Sequence, residues 1–320
     1  MLFSVYFIND TFILFYRKCA ENARDSVISQ KGFQNMVKRV AVINDLSGLG
    51  KCSLTAAIPV LSVLGVQACP LPTAVLTNQT GYDSYRCTDF TDKIDDFTEE
   101  WQKRGLTLDG IYTGYLGSAA QVEKILAFCD VFRRKDTLLF VDPVMGDLGS
   151  PYPIFTPKLH EQMQKLVRCA DVITPNLTEF CLLTGTDYAA LTAFSDSPDY
   201  LERIAHAGRS LLDAGIGTVI ITGILFRSAS DEEEKYYNVV LTRDGFDYAS
   251  SGIHGGSYSG TGDLLASVVC ASMVRGDSAI TAVRRACRFL EAALIETVRE
   301  QIPRNDGIQF EPHLPLLLEP

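Results

Sequence analysis

The chain is poor in positive charge. Its 320 residues carry 29 Lys and Arg against 39 Asp and Glu, a formal net charge of −10. Duplex binding rests on many cationic contacts to phosphate, so a broad nucleic-acid face is excluded; a nucleotide substrate needs only a local site. Histidine is scarce, and His160, His206, His254 and His313 are scattered without metal-ligand spacing. His254, beside a glycine-rich run, is expected to be a solvated loop residue. The nine cysteines form no Cys-x-x-Cys pair, which argues against a disulfide framework or a zinc ribbon. Most lie in apolar stretches and read as small core residues in a reducing compartment, which places the protein in the cytoplasm. No run is long enough to span a bilayer. Residues 1–16 are apolar but broken by Asn9 and Asp10, and they lack the basic start of a signal peptide. Residues 1–35 read as an extension, non-native or loosely ordered, ahead of a single domain over 36–320; a membrane-associating segment is the lesser alternative.

Two nucleotide-binding signatures are also missing. Gly48-Leu49-Gly50-Lys51-Cys52-Ser53 invites a phosphate-loop reading, but that motif needs Gly at 45 and Ser or Thr at 52, where the chain has Asp45 and Cys52. The dinucleotide fingerprint fails because Ser53 stands where its third glycine belongs, which weakens a dehydrogenase reading. Gly48 and Gly50 read as turn residues that let Ser47 project into a site; alone, Ser47 would read as a helix cap.

What is present is an alternation of β-rich runs and helical windows, with 47% hydrophobic residues to build a large core. Strands are expected at 40–43, 74–76, 110–113, 137–141, 172–174 and 218–222. Helices are expected near 53–64, 91–104, 119–132, 156–168, 177–184, 200–214, 261–275 and 278–299. Such alternation implies right-handed βαβ units and an α/β, doubly wound, mostly parallel sheet flanked by helices. Residues 236–241 and 245–249 read as an antiparallel hairpin at one edge. Asp231-Glu232-Glu233-Glu234 reads as an exposed acidic turn, with a flap over a nucleotide as the alternative.

Ligands bind outside the carboxyl ends of strands in such sheets. Small or polar clusters follow five consecutive expected strands, at 44–48, 77–81, 114–118, 142–147 and 175–179. A sixth segment, Gly260-Thr261-Gly262-Asp263, leads from glycine-rich chain into an apolar helix. Glycines let backbone approach a phosphate, and a helix start offers free N–H groups and a favourable dipole. A carboxylate at that junction repels phosphate; it fits as a base taking a proton from an attacking hydroxyl, with a plain helix cap as the alternative. Asp142 precedes Pro143 at a strand end and suits Mg²⁺ or its water shell. Asn176 and Glu179, three apart, face one side at a helix start, as in a capping box. Together, Asp142, Asn176, Glu179 and Asp263 on one rim point to metal-assisted phosphoryl transfer. Tyr82 and Tyr115 offer rings for stacking on a flat substrate, or simply pack.

Taken in order, Val42-Ile43-Asn44-Asp45-Leu46-Ser47-Gly48-Leu49-Gly50, Gly114-Tyr115-Leu116-Gly117-Ser118, Asp142-Pro143-Val144-Met145-Gly146-Asp147, Thr174-Pro175-Asn176-Leu177-Thr178-Glu179 and Gly260-Thr261-Gly262-Asp263 resemble the pyridoxal (vitamin B6) kinases of the ribokinase-like superfamily. The resemblance spans about residues 37–300. It implies ATP-dependent phosphorylation of the 5′-hydroxymethyl group of pyridoxal, pyridoxine or pyridoxamine, by a homodimer without a large separate lid. It gives Ser47 to the polar substituents of the ring, with Gln79, Thr80 and Tyr115 lining the same pocket. It puts Asp142, Thr174, Glu179 and Thr222 on the ATP–Mg²⁺ side, with Asp142 and Glu179 nearest the metal. Gly260, Thr261 and Gly262 become the anion hole and Asp263 the base. A need for a monovalent cation such as K⁺ stays open. The chain departs from the pattern at Gln79, where His is expected, and at Thr222, where many relatives carry Lys. The rivals are a hydroxymethylpyrimidine kinase of thiamine synthesis and a non-catalytic B6- or nucleotide-binding protein.

Overall fold

Strand β1 (Arg39–Ser47) shows how the apolar runs become a covered sheet. Val40 and Val42 enter one apolar layer, Ala41 and Ile43 the other, and all four are fully buried. A strand packed on both faces reads as a continuous apolar run rather than an alternation. The computed structural model describes residues 37–228 and 233–319. The expected 1–35 extension lies outside them, as do Asp231 and Glu232 of the acidic turn.

In chain order, β1 is followed by α1 (Ser53–Val63), β2 (Gln67–Leu76), β3 (Cys87–Asp89), α2 (Ile94–Lys103), β4 (Gly110–Thr113), α3 (Ala119–Phe132) and β5 (Leu138–Val141). The ribbon β6 (Gly146–Asp147) and β7 (Ser150–Pro151), α4 (Pro157–Cys169), β8 (Val172–Ile173), α5 (Leu177–Thr184), α6 (Tyr188–Thr192) and α7 (Tyr200–Asp213) come next. The chain then runs through β9 (Thr218–Phe226), β10 (Lys235–Thr242), β11 (Gly245–Ser251), α8 (Thr261–Val274) and α9 (Ala279–Arg299). The main sheet has the order β11-β10-β9-β8-β5-β4-β1-β2-β3. Its middle, from β9 to β2, is parallel throughout; β3 and β10 pair antiparallel with their neighbours.

Helices cover both faces. Leu54 and Leu61 of α1, Val268 of α8 and Phe289 of α9 share a layer with Val40, Val42, Tyr112 and Phe140. Phe128 of α3, Met163 of α4, Phe180 of α5 and Ile204 of α7 share the other with Ile43, Leu139 and Ile221. Side chains before the helices hold their starts: Ser118 accepts the Gln121 N–H at 3.2 Å, and Thr156 accepts that of Leu159 at 3.2 Å ahead of Pro157. No described helix is long and apolar enough to cross a membrane.

The doubly wound sheet and edge hairpin follow the sequence expectation. Strand β2 is longer than expected, beginning at Gln67 and including Pro70 and Pro72. Those prolines are tolerated because β1 pairs with one side of the strand, while β3 covers the other only at Ala74–Leu76. Strand β9 likewise runs past Thr222, through Gly223 at φ 67°. The exposed β3, the two-residue strands of the ribbon and the single-turn α6 carry no periodic signal and were not expected. The described cysteines are all free thiols, but Cys87 and Cys169 are exposed, so the expectation of core cysteines fits only some of them.

Candidate active site

The parallel strands all end on one edge, and backbone bonds past their ends draw those ends together. Gly114 N–H donates to the Ile43 carbonyl at 2.9 Å, Asp142 N–H to Thr113 at 2.8 Å and Thr174 N–H to Val141 at 3.1 Å. Asn44 sits at the centre, fully buried. Its Oδ1 accepts the N–H groups of Asp45 at 3.0 Å and Tyr115 at 2.8 Å, and its Nδ2 donates to Asp263 Oδ1 at 3.3 Å.

Asp263 lies in the first turn of α8, after Gly260 at φ 85°. The helix begins there because Gly260 adopts the left-handed conformation and Thr261 Oγ1 donates to the Tyr258 carbonyl at 2.7 Å. The protein packed around the Asp263 carboxyl raises its pKa to about 6; the Asp45 charge adds to this, while the backbone N–H of Ser53 and the Asn44 amide oppose it. Ser53 itself stands at φ 51°, uncommon for a residue with a side chain, and its Oγ donates to Asp45 Oδ1 at 2.5 Å. Gly262 is exposed, and a Cβ there would meet nothing within 4 Å. The first-turn amides of α8 have no partners within the helix, so this end can take an anion.

Asp142 is buried and accepts from Thr174 Oγ1 at 3.1 Å. Burial, then the charge of Asp263, pushes its carboxyl well above the usual range. Glu179 forms the capping box that its spacing from Asn176 admits: Glu179 N–H donates to Asn176 Oδ1 at 3.0 Å, and Asn176 N–H to Glu179 Oε2 at 2.8 Å. Glu179 Oε1 accepts from Met145 N–H at 3.0 Å, and Asn176 Nδ2 donates to the Gly146 carbonyl at 2.8 Å. Burial is the main cause raising the Glu179 carboxyl, with Asp142 adding to it. Thr222 bridges to Asn176 in parallel, its N–H bonded to the Pro175 carbonyl at 2.9 Å. Among the described residues, no three His, Cys, Asp or Glu side chains gather as a metal cage.

The residues expected to line a ring pocket are more engaged than their sequence suggests. Ser47 is buried, and its hydroxyl donates to Asp45 Oδ2 at 3.1 Å rather than projecting freely. Gln79 spends its amide on the protein, donating to the Asn305 carbonyl at 3.1 Å and accepting Gly81 N–H at 2.7 Å. Tyr82 donates to Asp306 Oδ1 at 2.6 Å. Thr80 is exposed, and Tyr115 is half-buried, its phenol pushed up to about 12 by burial and then by Asp45. His254 lies in a loop, as expected, but is only part-exposed and pairs with Glu291 at 3.2 Å, which also accepts Gly252 N–H at 2.8 Å.

Sequence reasoning gave no individual role to Asn44, Asp45 or Ser53 and did not single out Asn305 or Asp306. Asn44 and Asp45 carried a signal, since polar residues ended a buried strand. Ser53 registered only as the residue that breaks a fingerprint. Asn305 and Asp306 reach the 79–82 loop across more than 200 positions, which no local pattern reports.

Residues 23–306 match the model of the phosphomethylpyrimidine kinase family. The fold superposes with TM-score 0.78 on a putative phosphomethylpyrimidine kinase from Bacteroides thetaiotaomicron, crystallised with pyridoxal, at 38% identity over 89% of this chain and 97% of that one. It superposes with TM-score 0.77 on the pyridoxal kinase of Lactobacillus plantarum, at 30% identity over 88% and 97%. A pyridoxal kinase of Aliivibrio fischeri is 24% identical, covering 82% of this chain and 90% of its own. The chain belongs to the phosphomethylpyrimidine kinase family and, within the ribokinase-like superfamily, to its pyridoxal kinase branch.

Proposed function

We propose that this chain transfers the γ-phosphoryl group of ATP to the 5′-hydroxymethyl group of pyridoxal, pyridoxine or pyridoxamine. The observation that carries this reading is Asp263, a carboxylate in the first turn of α8, bonded to Asn44 and Ser53, with a pKa raised to about 6. A general base works best when its pKa lies near the working pH. In this reading Asp263 accepts the hydroxyl proton as the new bond to phosphorus forms. The amides of Gly260, Thr261, Gly262 and Asp263 hold the transferring group.

The donor set fits a divalent ion: Asp142 is a buried carboxylate whose charge is opposed by burial and by Asp263, and a cation relieves both. Bound Mg²⁺ supplies neutralisation of phosphate charge. Asp142 would hold it, with Glu179 beside it; the oxygens of Glu179 take the backbone N–H groups of Met145 and Asn176 and so fix the 142–146 turn that carries Asp142. Thr174 orients Asp142, and Thr222 borders the nucleotide. Ser47, Gln79, Thr80 and Tyr115 line the acceptor pocket, Ser47 acting with Asp45. The whole reaction is assigned to one domain over 36–320. The homodimer belongs to this reading through the resemblance alone, and the free thiols fit a reducing cytoplasm.

Hydroxymethylpyrimidine is the second acceptor to consider, because the matching family model is that of the phosphomethylpyrimidine kinases, which also act on a substituted pyrimidine. ADP release from Mg-ATP, measured with each B6 vitamer and with hydroxymethylpyrimidine, separates the two. Turnover confined to the pyrimidine would overturn the B6 assignment.

A further inference from the structure

We infer that Asn44 is a positioning residue for the transfer, its carboxamide tying Asp263 to the loop that carries Tyr115 and so holding base and acceptor pocket in one geometry. This rests on the reading of Asp263 as the base.

Three observations carry it. Asn44 is fully buried near the carboxyl end of β1, yet its amide reaches the first turn of α8 and the loop of Tyr115, both far away in sequence, as well as the N–H of Asp45. Its two ends do different work: Oδ1 takes two backbone N–H groups, from Asp45 and Tyr115, which orients the amide so that Nδ2 faces Asp263 Oδ1. The neighbouring Gly114 leaves room for it, since a Cβ at 114 would fall 2.6 Å from Asn44 Cγ. Gly114 is therefore required by the carboxamide beside it and not by a left-handed backbone, for it is absent from the positive-φ glycines.

The chemistry calls for an amide. Asp263 accepts a proton during the reaction, and a neutral N–H donor steadies it without competing for that proton. A carboxylate at 44 cannot donate when ionised and would join a group in which Asp45 already raises Asp263 and Asp263 raises Asp142. An apolar residue would leave the Asp45 and Tyr115 N–H groups unpaired in a buried place. At 3.3 Å the bond to Asp263 is long, as catalytic hydrogen bonds often are before substrate closes the site.

Asn44→Asp tests this, because it keeps the acceptor for both backbone N–H groups while a carboxyl oxygen, itself an added charge, replaces the donor to Asp263. The expected result is a kcat lower by about ten- to a hundredfold, with both KM values within about threefold. In an Asp263→Ala background the same change should alter residual turnover by less than about twofold, since the partner is gone. Gly114→Ala, whose methyl crowds the carboxamide at the Nδ2 that donates to Asp263, should reproduce the kcat loss and decides the matter if Asn44→Asp does not fold. Wild-type kcat in folded variants overturns the inference, as does an equal loss with and without Asp263. Wild-type protein inactive on every acceptor overturns the functional reading and this inference with it, whereas an active wild type with indifferent variants overturns this inference alone.

Discussion

A side chain on Gly260 would collide with the carbonyl oxygen of Lys51, so the start of α8 and the loop before α1 approach as closely as a glycine allows. Gly260 also sits at φ 85°, where a Cβ is strained. Gly262, two residues on, meets no such neighbour. Gly260→Ala should therefore lower the melting temperature and abolish most activity. Gly262→Ala should fold with a near-normal melting temperature but raise the KM for ATP, because its methyl enters the space assigned to phosphate. Equal destabilisation by the two would contradict this division.

Asp263→Ala and Asp263→Asn should each lower kcat by about 10²- to 10⁴-fold, the usual loss on removing a general base. KM for both substrates should change far less. A variant retaining near-normal kcat would remove Asp263 from the chemistry.

The pH dependence follows from the same carboxyl. With its pKa raised to about 6, Asp263 holds its proton in more acidic solution and cannot take another. The acid limb of kcat/KM should fall about tenfold per pH unit below 6. A profile flat from pH 7 to pH 5 would contradict the assigned base.

Asp142 gives a stability signature. Its carboxyl is raised in the folded state, so its contribution is fully present below the ordinary carboxylate range and is lost as pH rises through the folded value. Metal-free protein should melt at lower temperature as the pH climbs from about 5 to 8, and Asp142→Asn should flatten that trend. An unchanged slope in the variant would count against a raised Asp142.

Glu179→Gln should raise the Mg²⁺ concentration needed for half-maximal rate. It should also cost about 1–3 kcal/mol of stability, because an NH₂ group replaces an oxygen that accepts a backbone N–H. Unchanged metal dependence would confine Glu179 to its capping box.

Much of this was legible in the chain because it depends on local chemistry. The buried strands read as apolar runs, and Asp142 stood out at a strand end and Glu179 and Asp263 at helix starts. Legibility failed where long-range packing decides. The expected strand at 74–76 stopped short of the first seven residues of β2, whose prolines are accommodated on a side that β3 leaves open. Asn44 meets Asp263 across 219 positions, and Gln79 meets Asn305 across 226, so neither partnership leaves a periodic trace. Glu179 could be read as a metal residue or as a cap, and only the fold reveals that its oxygens already hold Asn176 and Met145. His254 looked solvated because Glu291, its partner, lies on a helix 37 positions away.

The most direct measurement is steady-state ADP release from Mg-ATP with pyridoxal, pyridoxine, pyridoxamine and hydroxymethylpyrimidine offered separately to wild-type and Asp263→Ala protein. The account predicts turnover of at least one B6 vitamer by the wild type, with formation of its 5′-phosphate and near-complete loss in the variant. Turnover of the pyrimidine alone, or B6 phosphorylation undiminished by Asp263→Ala, would contradict it.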